Sequence, residues 1–120
     1  MPSLSEAPRS RAGVLEARPS DLAKHPEVLV VDVRSEAELL GPSGHLHGVR
    51  HVPLERVLDG ALDELPKEAP VILVCEAGVR SRTAAEVLVQ RGHAEVYTLV
   101  GGMRRWVLEE RPVAHTRTWV

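Results

Sequence analysis

The feature that most constrains the fold is a set of three short apolar runs, rich in branched side chains and too short to form helices. They lie at residues 28–33, 71–74 and 96–100. Runs of this kind are typical of strands that are buried on both faces of a parallel sheet. The segments at 54–65 and 81–90 instead carry apolar residues at helical spacing. Strands that alternate with helices predict a three-layer α/β fold with parallel pairing and right-handed crossovers.

Weaker signals complete this pattern. Ser35 and Glu38 have the spacing of a capping box, in which each residue satisfies a free amide of the other, and they predict a helix start after the first run. Shorter elements are predicted as follows: strands at 14–17 and 50–53, one helical turn at 20–25, and a last short helix at 103–107.

Length and charge restrict the function classes. A chain of 120 residues suits one domain, and we assign it to 13–113, with a flexible segment at 1–12 and a tail at 114–120. The net charge of −2 gives no reason to expect a nucleic acid partner. No apolar stretch approaches the ~20 residues needed to cross a bilayer, and the first residues do not resemble a secretory signal. The sequence therefore predicts a cytoplasmic protein without a membrane partner.

The chain has a single cysteine, Cys75, which excludes an internal disulfide and an all-cysteine metal site. In the cytoplasm such a thiol stays reduced and available for chemistry. His45, His47 and His51 suggest a zinc site, but no carboxylate or thiolate accompanies them at ligand spacing. We therefore predict no metal and no cofactor, and interpret these histidines as structural.

The segment after the second apolar run carries the chemistry. Cys75 ends a predicted strand, and a six-residue loop leads to a helix that begins near Ser81. Ligands bind at this end of parallel strands, and the helix amides and dipole stabilise a thiolate or persulfide there. Gly78 allows the backbone to turn its amides inward. Arg80 can hold an oxyanion through two hydrogen bonds, and Arg82 adds positive charge.

This arrangement is what a sulfur carrier needs. A thiolate can attack the outer sulfur of a donor, hold that sulfur as a persulfide, and release it to a second nucleophile. The alternative is that Cys75 is a small buried apolar residue and Arg80 a solvated one. The order of strand, loop, glycine, arginine and helix favours the functional interpretation. That interpretation requires a sulfur that is open to water and faced by several loop amides.

From about residue 28 to residue 113 the chain resembles the rhodanese domain. Each short motif is weak alone, but their order and spacing are specific. The matching segments are VDVR at 31–34, GHL at 44–46, Gly48 with HVPL at 51–54, LDELP at 62–66, CEAGVRS at 75–81, Ala84 and Ala85 with Leu88, and GGM at 101–103 with Trp106.

The resemblance implies a five-stranded parallel sheet of order 1-5-4-2-3 and a persulfide on Cys75. It implies an active-site loop that consists of Glu76, Ala77, Gly78, Val79, Arg80 and Ser81. It also implies supporting roles for residues around the loop, namely Asp32, Arg34, His45, His51 and Arg82.

The length of the loop separates this chain from relatives of the same fold. Related phosphatases have a loop one residue longer, wide enough for a phosphate or arsenate, whereas four residues separate Cys75 from Arg80 here. The chain also departs from the rhodanese pattern. Leu39 replaces a common aromatic residue, residues 41–44 are longer than usual, and His47 replaces a common proline. Glu76 brings a negative charge that would disfavour a dianionic donor if it faced the mouth.

These features predict a sulfurtransferase that moves sulfur from thiosulfate or another persulfide to cyanide or a thiol. One alternative is a persulfide relay module that serves a partner protein and turns over small molecules slowly. A phosphatase or arsenate reductase is disfavoured by the loop length. The tail with Trp119 could pack on the domain or on a partner chain, and the sequence leaves both this and the oligomeric state open.

Overall fold

The structure, a computed structural model, describes residues 13–120. The segment at 1–12, predicted to be flexible, lies outside the described residues. Five parallel strands form one sheet of order β1-β5-β4-β2-β3, which confirms the order that the resemblance implied. The strands are β1 (Leu15–Ala17), β2 (Leu29–Asp32), β3 (Arg50–His51), β4 (Val71–Val74) and β5 (Val96–Leu99).

In the part of the chain that the structure describes, five helices connect or follow the strands. They are α1 (Pro19–Lys24), α2 (Glu36–Leu39), α3 (Leu54–Leu58), α4 (Val79–Gln90) and α5 (Gly102–Leu108). The capping box at the start of α2 is confirmed, because the Glu38 amide donates to Ser35 Oγ at 3.2 Å and the Ser35 amide donates to Glu38 Oε1 at 3.1 Å. It fixes the direction in which the chain leaves β2.

The predicted helix at 54–65 is too long, since α3 ends at Leu58 and turns follow it. Gly60 has a φ of +100°, a left-handed conformation that breaks the helix. Arg91 then donates to the carbonyl oxygens of Val57 at 2.9 Å and Leu58 at 2.6 Å. These carbonyls at the helix end are thus satisfied by a distant side chain, which local spacing could not reveal.

The core lies on both faces of the sheet, as expected for three layers. Successive residues of β4 point to opposite sides, so that Val71 and Leu73 join one apolar cluster while Ile72 and Val74 join the other. The first cluster packs against α3 and α4 and includes Cys75. The second packs against α5 through residues such as Met103 and Trp106.

The tail packs on the chain itself. Ala114 forms an antiparallel bridge with His45, and Val120 donates to the Val49 carbonyl at 2.9 Å while accepting from the His51 amide at 2.9 Å. The ring of Trp119 meets that of His45 edge-on at 4.9 Å. The tail therefore covers the outer edge of β3, an edge that would otherwise expose unpaired backbone groups.

Within residues 13–120, no helix combines the length and the apolar character that crossing a membrane requires.

Candidate active site

Cys75 follows β4 at the carboxyl end of the sheet and is 1% exposed. The Gly78 amide donates to its Sγ at 3.0 Å, and the thiol donates to Ser81 Oγ at 3.3 Å. Gly78 has a φ of +105°, and a side chain there would touch nothing within 4 Å. Glycine is therefore required for the backbone conformation that aims this amide at the sulfur, and not for lack of space.

The loop between Cys75 and the following helix is shorter than the sequence predicts. Helix α4 begins at Val79, not near Ser81, so Gly78 is its capping residue. The amides of Val79, Arg80 and Ser81 have no acceptor within residues 13–120, and the Gly78 amide is the one backbone donor there that reaches Sγ. The expectation of a sulfur that is open to water and faced by several loop amides is therefore wrong, since one amide reaches a thiol that is buried.

The outer side of the loop nevertheless faces water. Ala77 is exposed, and Val79 is 75% exposed. Cys75 itself is buried, and its Sγ lies at the start of α4.

Helix α5 supports the loop from behind. The Met103 amide donates to the Cys75 carbonyl at 2.9 Å, and the Arg104 amide donates to the Glu76 carbonyl at 3.0 Å. A side chain on Gly102 would overlap the Cys75 carbonyl and come within 2.6 Å of that of Glu76. The close approach of two backbones therefore explains the glycine at 102, which the sequence showed only as part of the matching segment GGM at 101–103.

Replacing Gly102 with alanine is expected to lower the free energy of unfolding by about 2–4 kcal/mol, because it adds a clash to a left-handed φ. Urea denaturation measures the change. Gly92→Ala is the matched control, since Gly92 has a φ of +96° and open space around it. Its cost should be only the ~1 kcal/mol of the backbone conformation. Equal costs for the two variants would contradict the proposed packing of α5 on the loop.

Arg34 is fully buried and links three segments. Its Nε and Nη2 donate to the two carboxylate oxygens of Asp32 at 3.0 and 2.9 Å. Nη2 also donates to the Gly44 carbonyl at 2.7 Å, and Nη1 donates to Glu76 Oε1 at 3.0 Å. Burial opposes the charged form, but the hydrogen bonds and charge of Asp32 outweigh it, with a further contribution from Glu76, and raise the pKa of Arg34.

Glu76 turns its carboxylate toward the segment at 41–44. Besides the bond from Arg34, it accepts from Ser43 Oγ at 2.9 Å, and its side chain is 32% exposed. The negative charge next to Cys75 is therefore held in place by two partners. The longer segment at 41–44 supplies one of them, which gives this departure from the rhodanese pattern a role.

Arg80 is engaged by a carboxylate of the chain. Its two terminal nitrogens donate to the two oxygens of Glu38 at 2.7 Å each, so the fork predicted to hold an oxyanion is occupied. The hydrogen bond from Arg80 lowers the pKa of Glu38 to about 2, and the same bond raises the pKa of Arg80. Glu38 thus takes part both in the cap of α2 and in the ion pair with Arg80. Its spacing from Ser35 predicted only the cap.

The other predicted supports differ in position. His45 is buried, donates from Nδ1 to the Leu39 carbonyl at 2.8 Å and lies 2.9 Å from Thr118 Oγ1. His51 donates to the Arg34 carbonyl at 2.7 Å. Arg82 faces outward, 3.4 Å from Glu86 on the next turn of α4.

The three histidines that raised the zinc alternative differ in burial. His47 is exposed, whereas His45 is buried. Residues 13–120 contain no group of three or more histidine, cysteine, aspartate or glutamate side chains that could hold a metal ion.

Comparison with known sequences gives a consistent family. The model of the rhodanese-like domain matches residues 17–109. The chain is 32% identical over 92 residues to a sulfurtransferase of Allochromatium vinosum, which covers 77% of this chain and 83% of that protein. It is 36% identical over 78 residues to thiosulfate sulfurtransferase GlpE of Pseudomonas fluorescens, and this match covers 65% of this chain and 69% of that protein. It is 39% identical over 77 residues to the uncharacterized protein YqhL of Bacillus subtilis, and this match covers 64% of this chain and 59% of that protein.

Solved structures share the fold. A rhodanese-related protein of Thermoplasma volcanium has a TM-score of 0.69 at 25% identity and covers 84% of this chain and 98% of its own. A polysulfide-sulfur transferase homodimer of Wolinella succinogenes has a TM-score of 0.70 at 26% identity and covers 84% and 78%.

Proposed function

Because the chain belongs to the rhodanese-like domain family, we propose that it is a sulfurtransferase whose Cys75 carries a transferable sulfur atom as a persulfide. The observation that carries this proposal is the contact of 3.0 Å between the Gly78 amide and Cys75 Sγ, at the start of a helix. An amide at that distance stabilises negative charge on Sγ, which bears it as the attacking thiolate and again as the leaving thiolate of the second step. The reaction needs a reduced thiol, so we place it in the cytoplasm.

The reaction has two half-reactions. The Cys75 thiolate attacks the outer sulfur of thiosulfate or of another persulfide. A bond forms between Sγ and that sulfur, the sulfur–sulfur bond of the donor breaks, and the leaving group keeps its electron pair. Cyanide or a thiol then attacks the terminal sulfur, and Cys75 leaves as a thiolate. Ser81 Oγ accepts from the resting thiol at 3.3 Å, and once Sγ has lost its hydrogen the Ser81 hydroxyl can donate to the sulfur instead.

Initial rates with thiosulfate and cyanide test this mechanism. We expect ping-pong kinetics, with parallel lines in double-reciprocal plots, because one residue serves both half-reactions in turn. Aryl-phosphate hydrolysis should stay at the rate of a Cys75→Ser control, since the four residues between Cys75 and Arg80 leave a small loop. Intersecting lines, or phosphate hydrolysis that depends on Cys75, would contradict the proposal.

A second candidate is a relay module that receives its sulfur from a partner protein. It is favoured by the apolar side chains of Ala77 and Val79, which are exposed at the rim of the loop beside a buried thiol. Exposed apolar residues around a site suit contact with a protein. Comparing the rates at which a protein persulfide and thiosulfate load Cys75 separates this candidate from the first.

A further inference from the structure

The charged side chains around Cys75 form ion pairs with one another. Both arginines that approach the loop are held by carboxylates of the chain, Arg80 by Glu38 and Arg34 by Asp32 together with Glu76. The two oxygens of Glu38 occupy the fork of Arg80 at 2.7 Å each. Within residues 13–120, Arg34 therefore keeps no free face for an incoming oxyanion. Arg80 keeps its Nε and one N–H on each terminal nitrogen, but the Glu38 carboxylate beside them already neutralises its charge.

The balance of charge at the loop is negative. Three carboxylates face two guanidinium groups, which leaves one negative charge in excess before the thiolate is counted. Asp32 and Arg34 are fully buried and Cys75 is 1% exposed, so water screens these charges poorly. Arg104 donates its amide to the Glu76 carbonyl at 3.0 Å, but its side chain is exposed to solvent, where salt screens it.

We propose, on the basis of the sulfurtransferase function above, that the sulfur donor of this protein carries at most one negative charge, as an alkyl or protein persulfide does. Glu38 and Glu76 are then the residues that determine specificity. A dianion such as thiosulfate must share the Arg80 guanidinium with Glu38 or displace it, and it brings two negative charges to a site where carboxylates already outnumber guanidinium groups. A neutral or singly charged persulfide brings less negative charge to this site, and with either donor the Gly78 amide, 3.0 Å from Cys75 Sγ, stabilises the attacking thiolate.

The loading step with such a donor is balanced without another reactant. The Cys75 thiolate attacks the outer sulfur of R–S–SH, and a bond forms between Sγ and that sulfur. The sulfur–sulfur bond of the donor breaks, and R–S⁻ leaves with the electron pair of that bond. The neutral donor brings no charge, and the charge of the thiolate leaves with R–S⁻, so the buried site never holds more negative charge than it does in the resting thiolate.

Two donors of similar shape provide the test. Thiosulfate is a dianion, and methanethiosulfonate replaces one of its oxygens by a methyl group and is a monoanion. The second-order rate constant for loading of Cys75 is measured with each donor by intact mass, in the native chain and in Glu38→Gln and Glu76→Gln. Glutamine keeps the hydrogen-bond acceptor and removes the charge. The control is Glu86→Gln, which removes a similar charge from the exposed pair with Arg82.

We expect the ratio of the methanethiosulfonate rate constant to the thiosulfate rate constant to fall about tenfold in Glu38→Gln or Glu76→Gln, the size of one charge-assisted contact. It should not change in Glu86→Gln. Because intrinsic reactivity of the donors is the same for every variant, only the change in this ratio is interpreted. An unchanged ratio in both variants, with both donors loading Cys75, would overturn the inference and leave the sulfurtransferase function standing. No loading by either donor or by 2-hydroxyethyl persulfide would overturn the function itself.

Discussion

Replacing Cys75 with serine is expected to lower the rate of sulfur transfer at least about a thousandfold, because a serine hydroxyl can neither form a persulfide nor depart as a stable anion. The site is otherwise preserved, since serine can keep the hydrogen bond to Ser81 Oγ and the one from the Gly78 amide. We expect the free energy of unfolding to change by only about 1 kcal/mol. Initial rates with thiosulfate and cyanide, together with urea denaturation, measure the two effects separately.

Cys75→Ala controls for any chemistry of the new hydroxyl group. It should be as inactive as Cys75→Ser, although it loses both hydrogen bonds of the thiol. Substantial turnover in either variant, with the fold intact, would mean that the sulfur passes through another group or directly from donor to acceptor.

Replacing Arg34 with methionine is expected to lower the free energy of unfolding by about 3–5 kcal/mol, the usual cost of removing one partner from a buried ion pair. The guanidinium group is fully buried and donates to Asp32, Glu76 and a backbone carbonyl. Its removal leaves the Asp32 carboxylate buried without a counter-charge. Urea denaturation measures the loss.

Two further variants make this prediction specific. Arg50→Met removes a guanidinium from an exposed pair with Glu64, with side-chain exposures of 35% and 60%, and should cost under about 1 kcal/mol. The double variant Asp32→Asn/Arg34→Met removes both buried charges, so it should recover part of the stability that Arg34→Met loses. A cost for Arg34→Met no larger than that for Arg50→Met would show that the buried network does not stabilise the fold.

Much of the fold could be predicted because its signals are local. The apolar runs at 28–33, 71–74 and 96–100 each contain one strand of the sheet, and the capping box of Ser35 marks the start of α2. The end of α3 could not be predicted, because it depends on Arg91, which lies more than thirty residues along the chain and caps the carbonyls of that helix. The order of the strands came from the resemblance, since apolar runs alone do not say which strands are neighbours.

The site could be predicted in part for the same reason. The positions of Cys75 and Gly78 at a junction of strand and helix follow from the local pattern, and the structure places them there. The ion pair of Arg80 with Glu38 joins residues 42 positions apart, and no spacing rule marks such a pair. The support of the loop by Gly102 likewise depends on how closely two backbones approach. Pairings between distant segments decide which charges remain free for a substrate, and the proposed choice of donor rests on them.

The most direct test of the central claim is the intact mass of the protein after incubation with a sulfur donor and removal of the excess. The proposed mechanism predicts a gain of one sulfur atom in the native chain, loss of that atom on addition of cyanide with release of an equal amount of thiocyanate, and no gain in Cys75→Ser. A native chain that gains no sulfur from thiosulfate, methanethiosulfonate or a persulfide, or a gain that persists in Cys75→Ser, would contradict it.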